Sequence, residues 1–507
     1  MRCTKFARKS FLCGVVVVNI LILYFMFHRQ KSDSLEHPRR GSQENVAVKN
    51  LCEESVTFVI CEFEDFGNSV QLTVDVIVKF FPNCKILIVA DHLPYPSINI
   101  DSKNVKMVVT KLAPDKPFSA LQPLNFIDSE YVVFVPDGTV IDSSQTIASL
   151  IVMLKSNHAV QLIVAGAGSA LKDSDFLAIE PNLREWTLTY SISLNPGSCD
   201  GLAVDSVLLI PSSIMKNLSD PFARPFGEAF FIQSALRNWK IQIAKVVFYR
   251  HEGYLADDHR KWKHNIYEKE RLRILYKRFG FKKVVRTNGL EEWYGCHKDT
   301  TRCFGSVYAD MPEFIFEERW TPPCCLRHLR ETAKHVFTIL DNAGVRYWLE
   351  GGSLLGAARS GDIIPWDYDI DIGIYQEDIP KLPLLKNCEL QSIVDDDGFV
   401  WEKSKQHEGD FYRVQFSDAN HLHVDIFPFF PKNGIMTKNT WMKSHQQDCE
   451  FPEKYLKPLT KIAFVGLQAS SPNNVKDFLE LKFGKGVIEN PQYPDPKRKK
   501  FSDDQKP

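Results

Sequence analysis

Asp367, Asp369 and Asp371 occupy alternate positions in the run Ile363-Ile364-Pro365-Trp366-Asp367-Tyr368-Asp369-Ile370-Asp371-Ile372-Gly373-Ile374-Tyr375. Alternation of an acid with Tyr368, Ile370 and Ile372 is a strand pattern, and its period of two sends all three carboxylates out of one face. Few patterns constrain a fold as much, because like charges crowded together are costly. Each carboxylate raises the proton affinity of the others unless a cation sits between them, and hard oxygen donors in a tight cluster suit Mg²⁺ or Mn²⁺. The plain alternative is a solvated strand face.

The residues just upstream favour the metal. Trp348-Leu349-Glu350-Gly351-Gly352-Ser353-Leu354-Leu355-Gly356 reads as a strand, a small-residue turn and the start of an apolar-periodic helix, with Ser353 as the expected N-cap. Amide N–H groups at a helix N-terminus bind phosphate, and glycine permits the close approach. A glycine-serine turn, a strand with two metal-binding acids and a third acid on a later strand is the order of parts in the nucleotidyltransferase-like superfamily, which this segment resembles. The third acid is expected at Asp425, because alternation in His421-Leu422-His423-Val424-Asp425-Ile426-Phe427 puts His421, His423 and Asp425 on one face. Two frames satisfy acid-apolar-acid, Asp367 with Asp369 or Asp369 with Asp371. The metal pair is taken as Asp369 and Asp371, with Asp425 as third acid and Asp367 in support.

At 507 residues the chain is long enough for two to three domains. A net charge of −1 leaves no broad basic face, so nucleic acid is not an expected partner. Residues 11–27 are apolar apart from Asn19, preceded by Arg2, Lys5, Arg8 and Lys9 and followed by Arg29 and Lys31. At helical rise this run spans roughly 26 Å, enough for the thinner membranes of the early secretory pathway. Bulky Tyr24, Phe25, Met26 and Phe27 stand where a cleavage site needs small residues, so an uncleaved signal anchor is expected, with residues 1–10 cytoplasmic and the rest luminal. Residues 28–54 are polar and aperiodic, as in a flexible stem. The sequon Asn217-Leu218-Ser219 agrees with a luminal chain and marks Asn217 for glycosylation.

Residues 55–288 carry a strand-helix-strand rhythm: Val56 to Ile60, a helical run over 68–81, then Lys85 to Asp91. This pattern predicts an α/β layered domain with parallel strands. It resembles the nucleotide-sugar-binding fold of glycosyltransferases, in which such a strand ends in Asp-x-Asp. Here Tyr131 to Val135 ends in Pro136-Asp137-Gly138, so the second acid is missing. The domain is therefore expected to be non-catalytic, positioning an acceptor or assembling oligomers.

In residues 289–507, Cys296 and Cys303 precede the vicinal pair Cys324-Cys325. Four thiols suit structural Zn²⁺, two disulfides suit an oxidising lumen, and spacing alone does not separate them. Between the pairs lies Arg319, whose planar fork suits a phosphate, or else a neighbouring glutamate. Residues 326–343 read as a core-facing helix through Leu326, Leu329, Val336, Phe337 and Leu340. Trp401 to Lys403 and Phe411 to Phe416 read as strands, and alternation sets Arg413 on one face with Phe411 and Gln415; Arg413, Lys403 and His423 either meet the ligand or are solvated or ion-paired.

Glu318-Arg319-Trp320-Thr321-Pro322-Pro323-Cys324-Cys325, Tyr347 to Arg359, the acidic strand, His421 to Asp425, and Gly486-Val487-Ile488-Glu489-Asn490-Pro491-Gln492-Tyr493-Pro494 together resemble the fukutin-related protein family. The C-terminal part of that family belongs to the phosphocholine-transferase-like (LicD) group of the nucleotidyltransferase superfamily. The resemblance is dense over the last 220 residues or so. It implies a Golgi type II membrane enzyme that moves ribitol 5-phosphate from CDP-ribitol onto the O-mannosyl glycan of α-dystroglycan, as a homo-oligomer alongside other luminal transferases such as fukutin. It implies Zn²⁺ at Cys296, Cys303, Cys324 and Cys325, and Mg²⁺ at Asp369, Asp371 and Asp425. Gly352, Ser353, Arg319, Arg413 and Asp367 are expected around the nucleotide. The expected fold class is α/β and α+β: an anchor over 11–27, a stem over 28–54, a glycosyltransferase-like α/β domain over 55–288 and a nucleotidyltransferase-like mixed α/β catalytic domain with the zinc loop over 289–507.

Overall fold

The computed structural model describes residues 55–495, apart from 96, 100–101, 196, 198, 252–256, 309–310, 405–408, 443–444 and 446. The expected cytoplasmic tail, anchor and stem lie outside the described residues. Among the described residues no helix is long and apolar enough to cross a membrane. The chain forms a mixed α/β fold in two compact units. One gathers residues up to 168 with 207–215 and 244–252, and the other gathers 169–206, 216–243 and the chain from 253 onward.

The first unit is built on an eight-stranded sheet in the order Val105–Val109, Lys85–Ala90, Val56–Ile60, Tyr131–Phe134, Ser206–Pro211, Leu162–Ala167, Ile241–Arg250, Thr139–Val140. The first four strands run parallel, as the rhythm predicts, and Ser206–Pro211 joins them antiparallel. All five residues of Val56–Ile60 are buried, which is why that strand reads as an unbroken apolar run. The helix Val70–Phe80 sends Val70, Val74 and Ile77 into the same core. Asp137 is fully buried, and both its oxygens accept the N–H of Ser69, the residue preceding that helix, at 2.9 and 3.0 Å. The lone acid of the Asp-x-Asp-like turn thus serves a helix N-terminus.

In the second unit a helix α1 (Pro323–Asn342) buries Leu329, Ala333, Val336, Phe337 and Leu340 at helical spacing, with Pro at its start where no N–H is missed. Then come β1 (Tyr347–Leu349), α2 (Gly351–Ser360), β2 (Ile370–Tyr375), β3 (Ile393–Val394), β4 (Val400–Lys403), β5 (Tyr412–Gln415), β6 (His423–Lys432), β7 (Ile435–Thr437), β8 (Phe451–Pro452) and α3 (Val475–Phe483). The sheet order is β1-β2-β6-β5-β4-β3, with β7 on β6 and β8 on β7. β2 and β6 are parallel neighbours at its centre, flanked by antiparallel β1 and β5. A separate five-stranded sheet in this unit runs Glu291–Trp293, Lys283–Val285, Thr187–Ile192, Phe176–Asn182, Gly201–Leu202. Residues on both sides of the expected boundary at 288 therefore share one sheet.

Candidate active site

Asp371 on β2 stands in register with Asp425 on β6, and Asp425 in turn with Arg413 on β5. Paired residues of neighbouring strands project from the same face, so these three side chains meet. The Arg413 guanidinium takes both oxygens of Asp425, Nε at 2.8 Å and a terminal nitrogen at 2.9 Å. Arg413 is thus bound first to an acid of the site.

The single acidic strand face is corrected by the structure. β2 begins at Ile370; Asp367 ends a turn closed by its own N–H on the Ile364 carbonyl at 2.9 Å, and Asp369 lies in the irregular stretch between that turn and the strand. Pro365 supplies the reason, since it removes a ladder donor and favours a bend. The carboxylates gather all the same. They sit in a recess that keeps some contact with solvent while protein packs round them. Burial lifts Asp367 and Asp371 well above the usual carboxylate range, and the Asp369 charge lifts both further. Asp369 is raised by burial, while His423 and Arg413 pull it down and Asp425 pushes it up. Such a cluster holds more negative charge than its neighbours offset, the donor set that an oxygen-seeking divalent cation fits.

The glycine turn abuts these acids. Ser353 is not the N-cap: α2 starts at Gly351 after the extended Glu350, which puts Ser353 inside the first turn, buried. Its Oγ accepts the Asp371 N–H at 2.9 Å, and the Glu350 N–H donates to the Asp371 carbonyl at 3.0 Å. These two bonds stitch the turn to the acidic strand. A Cβ on Gly352 would stand 2.7 Å from Asp367 Oδ2, and one on Gly351, at φ +51°, would stand 3.4 Å from Asp371 Oδ2. Glycine here makes room for carboxylates as well as for a ligand.

Two lysines carry no sequence motif. Lys482 of α3 is buried and pairs with Glu350, whose other oxygen accepts the Trp348 indole N–H at 2.8 Å. Its signal was the helical period, which puts it one turn after core residue Phe478. Lys438 follows β7, with a side chain 4% exposed and Asp448 at 2.7 Å.

Other expected residues are placed differently. Arg319 lies over the Trp186 ring at 4.2 Å, donates to the Gly280 carbonyl and sits 3.6 Å from Glu317. Protein groups meet its fork, among them the neighbouring Glu317. His421 precedes β6, is exposed and contacts Gln415, so it does not extend the face of His423 and Asp425. Lys403 pairs with Asp410. Asn217 is exposed. Cys296 is joined to Cys324 and Cys303 to Cys325. The sulfurs of Cys296, Cys303 and Cys325 lie within 4.8 Å of one another, and Cys324 is bonded to Cys296, so the four sulfurs converge.

The profile of the fukutin-related protein stem domain matches residues 42–287, and that of the LicD/FKTN/FKRP nucleotidyltransferase domain matches 344–474. The human protein named ribitol 5-phosphate transferase FKRP is 44% identical over 490 residues, 96% of each chain. The chain belongs to the fukutin-related protein family. The mouse member of that name is likewise 44% identical, over 96% of this chain and 97% of its own. Human ribitol-5-phosphate transferase FKTN shares 26% identity over 163 residues, 31% of this chain and 33% of its own. In this fukutin-related protein family member the nucleotidyltransferase match spans the glycine turn, the four aspartates, Arg413 and Lys438.

Proposed function

We propose that this chain transfers ribitol 5-phosphate from CDP-ribitol to the ribitol-phosphate-bearing O-mannosyl glycan of α-dystroglycan. The observation that carries this reading is the register of Asp371 with Asp425 beside the Gly351-Gly352-Ser353 turn, in a chain 44% identical to proteins of that activity by name. Asp369, Asp371 and Asp425 would hold Mg²⁺ or Mn²⁺, which when bound offsets the charge of a diphosphate. The amide N–H groups around Gly352 and Ser353 hold phosphate oxygens at the positive end of α2. The acceptor hydroxyl oxygen forms the new bond to phosphorus as the bond to the CMP oxygen breaks, and the hydroxyl proton passes to the departing CMP phosphate or to solvent, which asks the protein for alignment and charge stabilisation. Arg413 orients Asp425 through two hydrogen bonds. The paired carboxylate keeps its oxygens where β2 and β6 meet, and there they would join the metal shell.

The four cysteines would hold structural Zn²⁺ when reduced, a role supported by their convergence. The first unit, read as glycosyltransferase-like, serves acceptor placement or homo-oligomer assembly. Its lone Asp137 is spent on a helix terminus. A Golgi location, a type II anchor, glycosylation at Asn217 and association with luminal transferases such as fukutin complete the reading.

The test is CMP release from a panel of CDP-alcohols (ribitol, glycerol, choline), with and without EDTA. CDP-ribitol should be turned over, EDTA should stop it, and Asp371→Asn should lower turnover by at least about 10²-fold while the protein still folds. Normal turnover by Asp371→Asn, or a preference for another alcohol, would refute the proposal.

A further inference from the structure

We propose that Lys438 is a second cation of the catalytic site, built into the protein, whose ammonium meets the phosphate oxygens of the bound donor. The inference rests on the function proposed above and adds a residue to it.

Asp425, Phe427 and Phe429 alternate along β6 and therefore share the face on which Asp425 meets Asp371. β7 folds back antiparallel, with Thr437 opposite Phe430, which brings Lys438 alongside Phe429. The ammonium does not stay there. It stands 4.3 Å from the centre of the Phe427 ring and 5.5 Å from that of Phe429, so the side chain runs along the face toward Asp425. Trp441 closes the other side at 5.1 Å.

Packing alone does not call for a lysine here. A methionine would fill the same aromatic slot, and replacing a buried ion pair by apolar side chains is often neutral or stabilising. The pairing also leaves capacity. An ammonium has three N–H bonds, and among the described residues Asp448 is its one ion-pair partner, with the second Asp448 oxygen taken by the Met442 N–H at 2.7 Å. The remaining donors sit in a buried aromatic slot whose nearest ring, Phe427, is two residues from Asp425 on the same strand face, and in such a desolvated place a charge-assisted bond to a phosphate oxygen is strong. A fixed cation there would offset charge on the diphosphate in the ground state and on the departing CMP as the bond to phosphorus breaks.

The experiment is calorimetric titration of the whole chain with CDP in the presence of Mg²⁺, and with cytidine as a phosphate-free control. Lys438→Met combined with Asp448→Asn removes the cation without leaving a buried carboxylate. CDP should bind this double variant about 10- to 100-fold more weakly than wild type, the loss of one charged hydrogen bond, with cytidine unchanged. Lys438→Arg should recover part of the loss. Asp448→Asn alone, which frees the ammonium, should bind CDP at least as tightly as wild type, and it decides the matter should the double variant not fold. Equal CDP binding by wild type and a folded double variant, or weaker CDP binding by a folded Asp448→Asn, would overturn the role of Lys438 while leaving the proposed function standing. If wild type itself bound no CDP, the proposed function would fall first.

Discussion

Asp367 and Asp371 bind protons more tightly in the folded chain than in an unfolded one, because the fold buries them beside Asp369. Where the folded pKa is raised, stability is fully present below the ordinary carboxylate range and is lost as pH climbs toward the raised value. Metal-free protein should therefore lose thermal stability as pH rises through and above about 4. Mg²⁺ should restore it, and Asp371→Asn should flatten the slope and raise the midpoint in EDTA. Equal pH slopes for wild type and Asp371→Asn in EDTA would contradict this electrostatic account. The acids themselves were legible in the sequence, since like charges at alternate positions demand a partner. Their placement was less so: period two carried the strand pattern back through Asp367, and Pro365 ended it. Arg413 was found by its strand face but assigned to the ligand, because no local pattern discloses a cross-strand pair to Asp425 twelve residues on.

At the level of elements, α2 is held by more than its own cap. Glu350 sits immediately before the glycine turn, and its two oxygens are fixed by Lys482 of α3 and Trp348 of β1. The Trp348 ring packs where a Cβ on Gly373 would come within 2.3 Å of it, so β2 leaves that space open with glycine. Lys482→Met would strand a buried carboxylate, a loss of about 3–5 kcal/mol, and would loosen the turn that holds phosphate. Chemical denaturation should show the loss, and pairing it with Glu350→Gln should recover part of it. No recovery in the double variant would mean that the pair does not act as a unit. The cysteine loop is read at the same scale. Thiol titration of the denatured chain with and without a chelator, beside metal analysis, should find four chelator-released thiols and one zinc per chain. Two disulfides and no zinc would remove the metal. Spacing left those alternatives open because both bring the same sulfurs together.

For the whole molecule, the division at residue 288 followed a change from strand-helix rhythm to cysteine-rich sequence, and the stem-domain match ends close by at 287. The compact units are drawn otherwise, because pairing between distant strands leaves no mark on local composition. Lys283–Val285 is sandwiched between Thr187–Ile192 and Glu291–Trp293. The Trp186 indole donates to the Trp320 carbonyl at 2.8 Å, and Arg319 lies over Trp186 against the Gly280 backbone. Thr321, one residue on, holds the Asp367 carbonyl at 2.6 Å, so the segment that these contacts brace reaches the acid turn directly. A chain beginning at residue 289 would keep the glycine turn and every acid yet lose this support, exposing Trp320 and leaving Glu291–Trp293 an unpaired edge. It should be poorly soluble and lack the cooperative unfolding of the longer chain, whereas one beginning at residue 55 should retain both, by gel filtration and circular dichroism. A monomeric 289–507 chain that unfolds cooperatively at the same midpoint would show that the acid site does not depend on residues 169–288.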